Sequence, residues 1–314
     1  MGTKWRSTLG FFIFYSTWLG SVVFVAISAL SIVMFPSFRA PVVIFYALYF
    51  AVMTLLPWGR WERFCDGVRW FNIKTPYFEE QKLVFQDLDN NKACPAKSKS
   101  LLAYHPHGIL VCGWTVNGAA HTTWKDSAIS WLGTDALFIL PFIAQIMYWA
   151  GGGAANRSNF ESLAKAGENI ALLPGGFEEA SLFRYKTHQV FIKQRKGFIK
   201  LGMQYGYKVH PVYTFGEENT YWTLPYFQKI RLFLNRYKIP AVVFWGRWWC
   251  PYMPCNNSKL VTVVGKPIQL PQIAKPTKED VDKYHNLYME SLQALFDEFK
   301  GQYAADPNAT LTML

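Results

Sequence analysis

The feature that most constrains this chain is its uncharged N-terminus: no Asp, Glu, Lys or Arg occurs from Ser7 to Phe38, a run of 32 residues. Arg39 interrupts the run, and a second uncharged stretch follows from Ala40 to Gly59. A bilayer core takes roughly 20 apolar helical residues, so each stretch is long enough to cross it or enter it deeply. A cleavable signal peptide has an apolar region of only about 7–15 residues and a small-residue cleavage site, which does not describe two long runs in succession. A pair of buried core helices is the competing reading. Lys4 and Arg6 precede the first run, Arg60 and Arg63 follow the second, and the hinge near Pro36–Pro41 holds only Arg39. Positive charge at both outer ends predicts a hairpin with both ends on the cytosolic side, spanning or re-entrant. The chain thus divides into a membrane-embedded helical hairpin over residues 1–60 and a domain over 61–314.

The composition, 51% apolar and 18% aromatic with 17% charged residues, excludes the disordered class. The cysteines at 65, 94, 112, 250 and 255 make no disulfide framework, and the close pair Cys250 and Cys255 lacks the second pair a zinc site needs. No metal is expected, and scattered thiols fit a reducing compartment. The formal charge of +11 is concentrated: Arg184 to Arg247 holds 12 Lys plus Arg against two acids, Glu217 and Glu218. Within this stretch Trp222, Tyr226, Phe227, Phe233, Tyr237, Phe244, Trp245, Trp248 and Trp249 alternate with Lys229, Arg231, Arg236, Lys238 and Arg247. Amphipathic rings and snorkelling cations suit the headgroup level of a membrane, and the charge suits an anionic surface or a polyphosphate ligand. The bland alternatives are core packing and a solvated basic face. Nucleic acid fits worse, because large apolar residues interleave the cations.

After residue 60, strand and helix patterns alternate. Ser100 to Tyr104 reads as a strand ending in His105-Pro-His-Gly108, and Asn169 to Leu173 as a buried strand broken by Pro174-Gly-Gly176. Ser158-x-x-Glu161 reads as a capping box for a helix that Gly167 stops. Gly197 to Tyr205 is a helix ended by Gly206, Lys208 to Thr214 a strand, and Leu260 to Val264 a β-branched run. Thr277-x-x-Asp280 caps a long helix carrying Val281, Tyr284, Tyr288, Leu292, Leu295 and Phe299 on one stripe. Such alternation predicts an α/β fold with a mostly parallel sheet. Asp87 to Ser100 and the tail after Tyr303 read as loose segments.

Common catalytic signatures are absent: there is no G-x-S-x-G elbow, P-loop or H-E-x-x-H. Asp87-Leu-Asp89 sits in a polar loop and reads as solvated. What remains is His105 and His107, at the end of a strand where open α/β sheets bind ligands. Histidine titrates near neutral pH and can take a proton from an attacking hydroxyl, whereas a lone His is usually structural.

Five blocks occur in order: Tyr104-His-Pro-His-Gly108; Pro174-Gly-Gly176 with Glu179; Arg195-Lys-Gly-Phe198; Pro211-Val-Tyr-Thr-Phe-Gly-Glu217; and Val261-Thr-Val-Val-Gly-Lys-Pro-Ile268. Together, from about residue 57 to 300, they resemble the diacylglycerol O-acyltransferase type 2 family, which includes monoacylglycerol and wax-alcohol acyltransferases. The resemblance implies the N-terminal hairpin, followed by a glycerolipid-acyltransferase-like mixed, mostly parallel sheet flanked by helices. It implies acyl transfer from acyl-CoA, a co-substrate rather than a cofactor, to the hydroxyl of diacylglycerol. Monoacylglycerol and a long-chain alcohol are the other acceptors, and a non-catalytic lipid-surface protein is the rival of another class. It further implies an endoplasmic reticulum membrane location, or a lipid-droplet surface, with the catalytic domain cytosolic. A homo-oligomer stays open. Related glycerolipid acyltransferases pair a His with an Asp five residues on; here Leu110 and Cys112 stand at that offset from His105 and His107. Glu179 is then the candidate to hold the base. Tyr77-Phe78-Glu79 departs from the family's usual Tyr-Phe-Pro at a position not expected to be catalytic.

A thioester is already activated, so direct attack needs only a general base and an oxyanion donor. His105 or His107 fits the base, and backbone N–H groups near Gly108 or Gly175-Gly176 the donor. Arg195, Lys196, Gly197 and Lys200 are expected to meet the CoA phosphates. The sequons at Asn156, Asn256 and Asn308 are expected to stay unglycosylated on a cytosolic domain.

Overall fold

The computed structural model describes residues 4–86, 94–235 and 242–314; Asp87-Leu-Asp89 and the cations Arg236 and Lys238 lie outside these described residues. The two uncharged runs form helices α1 (Lys4–Met34) and α2 (Arg39–Leu55), each long and apolar enough to cross a membrane. Between them Pro36 opens a short turn through Phe38, since proline cannot continue α1. Arg39 then donates from Nε to the Ile32 carbonyl at 3.0 Å. The hinge's one cation therefore satisfies a carbonyl at the end of α1 and meets the negative end of that helix's dipole.

The first half of α1 is built into the domain. Tyr15 is 0% exposed. Its hydroxyl donates to the Leu110 carbonyl at 3.2 Å. Phe11 stacks on Tyr77 with ring centroids 4.2 Å apart, and the Ser16 and Tyr252 hydroxyls are 2.8 Å apart. Packing thus crosses the boundary at residue 60.

The domain continues with α3 (Glu62–Lys74), β1 (Glu80–Phe85), β2 (Ser100–His105), β3 (Ile129–Gly133), α4 (Ile143–Trp149), β4 (Gly152–Ala154), α5 (Arg157–Lys165), β5 (Asn169–Leu172) and α6 (Gly176–Leu182). There follow β6 (Gln189–Val190), α7 (Gly197–Tyr205), β7 (Lys208–Phe215), β8 (Trp222–Thr223), α8 (Gln228–Asn235), β9 (Phe244–Trp245), β10 (Lys259–Val264), β11 (Ile268–Gln269), α9 (Lys278–Tyr303) and β12 (Thr312–Met313). The main sheet runs β1-β10-β7-β2-β5-β3-β4, with β11 beside β7. Only β10 and β11 lie antiparallel to β7; every other neighbouring pair is parallel. This is the mixed, mostly parallel sheet the sequence predicts.

The sheet is covered on both faces, which is why its strands read as continuous apolar runs. Successive side chains of β2 alternate between the two cores: Leu101 and Ala103 pack with Tyr288 and Leu292 of α9, while Leu102 and Tyr104 pack with Trp131 and Val212. The same alternation turns His105 toward α9.

Two local expectations need correction. The N-cap of α5 is Asn156, which accepts the Asn159 N–H at 2.9 Å; Glu161 instead pairs with Arg157 at 2.7 Å, one turn earlier on the helix. The tail after Tyr303 is ordered rather than loose. Leu311 is buried, β12 runs parallel to β6, and Thr312 donates to the His188 carbonyl at 2.9 Å. Ser100, placed at the end of the other loose segment, is the buried first residue of β2.

Tyr15→Phe, which removes only the hydroxyl, is expected to cost about 1 kcal/mol. Tyr15→Ala should cost about 3–5 kcal/mol by opening a cavity between helix and domain. Thermal melts in detergent micelles check this; equal melting temperatures for wild type and Tyr15→Ala would mean that α1 does not belong to the folded domain.

Candidate active site

Strands β7, β2 and β5 are adjacent and parallel, so their C-terminal ends lie on one edge of the sheet. Open α/β sheets present their chemistry at that edge. The loop after β2 carries His105 to Gly108, the turn after β5 leads into α6 with Glu179, and the turn after β7 carries Glu217 and Glu218.

Glu179 joins the first two of these loops. Its Oε1 accepts the His107 backbone N–H, and its Oε2 accepts the Phe191 N–H at 2.8 Å. The same Oε2 lies 3.6 Å from Nδ1 of His105, an electrostatic contact longer than a hydrogen bond. His105 is 0% exposed. Its Nε2 is 2.9 Å from the Tyr288 hydroxyl of α9. Both nitrogens of His105 are therefore turned toward protein groups.

His107 is placed differently. Its ring is half-buried, and its Nδ1 lies 3.0 Å from the Gly108 carbonyl. A carbonyl only accepts, so Nδ1 carries the proton and Nε2 keeps the lone pair. Burial holds this imidazole below its ordinary 6.5, opposed in part by the Gly108 carbonyl and by the charge of Glu179. His107 is neutral at pH 7, the form a base requires.

Glu217 pins the far end of the loop. It accepts the Cys112 N–H at 3.0 Å through one oxygen and the Gly113 N–H at 2.7 Å through the other. Gly108 has φ +63°, and a Cβ there would overlap the Glu217 carboxyl, so only glycine fits. Burial pushes Glu217 up to about 8, against the pull of those two N–H bonds, and burial pushes Glu218 up to about 7. Of the backbone donors considered for an oxyanion, the Gly176 N–H is already committed to the Leu173 carbonyl at 3.2 Å.

The basic residues at the start of α7 divide into two groups. Arg195 pairs with Glu178 of α6 and lies over the Phe191 ring at 5.3 Å. Lys196 pairs with Asp282 of α9 at 2.5 Å. Lys200 is exposed and, with Gly197 and Arg157, lines a groove walled by Leu172, Phe198 and Leu201. Phe198 separates that groove from the histidines: its ring lies 5.0 Å from that of Tyr288. The structure thus brings His105, His107 and Glu179 together, with Arg195 on the neighbouring Glu178 and Phe191, while Lys200 lines a groove that includes none of the three.

Sequence reasoning gave no role to Tyr288, Glu217 or Tyr15. Tyr288 reads as one more apolar-stripe residue of α9, and nothing linear shows its hydroxyl meeting a His 183 positions away. Glu217 lies in a recognisable block, but its backbone partners are set by the fold.

A mostly parallel sheet tied to an apolar hairpin, read with the chain's relatives, defines an acyltransferase. The model of the diacylglycerol acyltransferase family matches residues 33–314, and the chain belongs to that family. Diacylglycerol O-acyltransferase 2 of Dictyostelium discoideum is 34% identical over 66% of this chain and 68% of its own. Human acyl-CoA wax alcohol acyltransferase 1 is 30% identical over 68% of this chain and 70% of its own. Among solved structures, the 1-acyl-sn-glycerophosphate (LPA) acyltransferase PlsC of Thermotoga maritima covers 96% of this chain and 99% of its own, at 15% identity and a TM-score of 0.46. That likeness is too distant to carry any inference.

The raised Glu217 value has a consequence for stability. An unfolded glutamate ionises near 4.5, whereas folded Glu217 does so near 8. Between those values the folded state holds the extra proton, so Glu217 makes stability fall as pH rises. Burial holds His188 and His210 at about 4, well under the ordinary 6.5, which pulls the other way at acid pH. The test is therefore the difference: from pH 6.5 to 8 the wild type should lose melting temperature relative to Glu217→Gln, giving the variant the flatter slope. An unchanged slope in the variant would show that Glu217 is ionised throughout.

Proposed function

We propose that the protein transfers a fatty acyl group from acyl-CoA to the free hydroxyl of diacylglycerol, giving triacylglycerol and CoA. The observation that carries this reading is the Glu179 carboxylate, which meets both His105 and the His107 backbone beside a half-buried, neutral imidazole. His107 Nε2 takes the proton of the attacking hydroxyl as its oxygen bonds to the thioester carbon. The tetrahedral oxyanion is held by the Gly108 backbone N–H, since Pro106 has none and that of His107 is committed to Glu179. On collapse the C–S bond breaks, and the imidazolium returns its proton to the departing CoA thiolate. No enzyme nucleophile and no cofactor enter this scheme. His105, between Tyr288 and Glu179, positions the loop, and the Glu179 charge favours the imidazolium.

Gly197 and Lys200, with Arg157 across the groove, are placed to take CoA phosphates as charge-assisted contacts. Arg195 and Lys196 join them only by giving up Glu178 and Asp282. Diacylglycerol is favoured as acceptor by the name of the Dictyostelium relative. The hairpin and its flanking cations favour the endoplasmic reticulum membrane or a lipid-droplet surface, with the domain on the cytosolic side where acyl-CoA is held.

Purified protein in lipid, supplied with labelled oleoyl-CoA and either diacylglycerol, monoacylglycerol or a long-chain alcohol, tests the assignment. Diacylglycerol should be turned over fastest, and a preference for another acceptor would replace it. His107→Ala should lower kcat by roughly 10²–10⁴-fold. Because burial lowers the His107 value, the acid limb of kcat/KM should be centred below the ordinary 6.5. An acid limb centred above 6.5 would exclude His107 as the base.

Lys200→Ala should raise KM for acyl-CoA about tenfold with the acceptor KM unchanged, as expected for loss of one charge-assisted contact. Arg195→Ala and Lys196→Ala should do less, since their charge is spent on carboxylates. Equal changes in both KM values would assign Lys200 to folding rather than to the ligand.

A further inference from the structure

We infer that β8, α8, β9 and the Trp248-Trp249 turn form a second membrane contact, separate from the hairpin, that seats the catalytic domain on an anionic bilayer surface. This inference stands apart from the choice of acceptor. Trp248 is 92% exposed, Phe227 75% and Tyr226 67%, with Trp222, Ile230 and Trp249 beside them in the same elements. Soluble surfaces scatter such residues singly; a cluster marks a contact.

The cluster is held outward by a rigid frame. Trp222 pairs with Trp245 across the β8–β9 ladder, and its ring stacks on Tyr185 at 3.8 Å. Buried Arg231 of α8 donates to the carbonyls of Ser181 at 2.9 Å, Leu224 at 2.7 Å and Tyr226 at 2.9 Å. These bonds stop the lobe from folding its rings inward.

Charge selects the partner. No Asp or Glu occurs from Asn219 to Lys278, a span of 60 residues, while Lys229 and Arg247 of the lobe fall within it. Lys229 is exposed beside Ile230, and the Arg247 guanidinium lies over the Trp249 ring at 5.2 Å. Rings flanked by cations, with no acids, fit the headgroup level of an anionic leaflet.

Position agrees with charge. Tyr252, just after the Trp248-Trp249 turn, touches α1 through the Ser16 hydroxyl at 2.8 Å and through the Phe12 ring at 6.1 Å between centroids. The lobe therefore adjoins the hairpin where it leaves the domain. On its other side it rests on α6, the helix of Glu179, through Arg231 to the Ser181 carbonyl and through the Ser181 hydroxyl, which donates to Asn235 at 2.9 Å. The site is thereby mounted close to the surface from which a lipid acceptor arrives.

The test uses the full-length chain in phosphatidylcholine vesicles containing roughly 30% phosphatidylserine. Cys65, Cys94, Cys112 and Cys250 are buried, so in a Cys255→Ser background a nitroxide goes on Trp248→Cys, on Phe227→Cys as an independent position, and on exposed Lys165→Cys of α5 as reference. Power saturation should show both lobe labels shielded from a water-soluble nickel chelate and enriched in oxygen relative to position 165, with shielding reduced when phosphatidylserine is omitted. Nickel access equal to that at position 165 would overturn the inference. So would label–label broadening that grows with the protein-to-lipid ratio, since a second copy would then be what covers the lobe.

Discussion

The Glu179 carboxylate joins segments far apart in the chain: the loop after β2 through the His107 N–H, the segment after β6 through the Phe191 N–H, and the end of β2 through His105. Burying a carboxylate costs several kcal/mol unless charge-assisted bonds offset it. Here the backbone supplies those bonds, so the carboxylate keeps its place only while both segments keep theirs. Its position near the N-terminus of α6 adds a favourable dipole. Neither His105 nor His107 has an Asp five residues on, and Glu179 reaches both histidines from another strand-to-helix turn.

The loop after β2 is fixed at its other end by groups of different origin. Glu217 holds the Cys112 and Gly113 N–H groups, and Tyr15 of the hairpin holds the Leu110 carbonyl. A helix long and apolar enough to cross a membrane thus contacts the segment directly following the histidines. The first half of α1 and the domain share one packed unit, so an N-terminal truncation would remove part of the domain's own core.

Much of this was legible in the sequence, for physical reasons that differ by element. The hairpin follows from the absence of charge alone. The strands β2, β5, β7 and β10 follow from continuous burial, and α7 and α9 from spacing plus a stop at Gly206 and a capping box at Thr277. His105 and His107 could be named because they follow a strand at a glycine turn, and Glu179 only because its Pro174-Gly-Gly176 block resembles the family's. What escaped depended on tertiary partners. Asn156 outcompeted Ser158 as a cap because the chain enters α5 extended at Asn156. The tail gained order from backbone bonds to β6, which leave no trace in side-chain pattern. Arg195 and Lys196 look free in a linear reading, yet their partners Glu178 and Asp282 come from other helices.

The central claim is that the charge of Glu179 organises the two histidines for acyl transfer. Replacing Glu179 with Gln keeps the side chain's size and one acceptor oxygen while removing the charge. Steady-state transfer from oleoyl-CoA to diacylglycerol in lipid, at pH 7, measures the effect. The account predicts a fall in kcat of about a hundredfold or more with both KM values little changed, the signature of an interaction realised in the transition state. A variant retaining more than about a tenth of the wild-type kcat would contradict it, because general-base help organised by that charge is worth at least about 10²-fold.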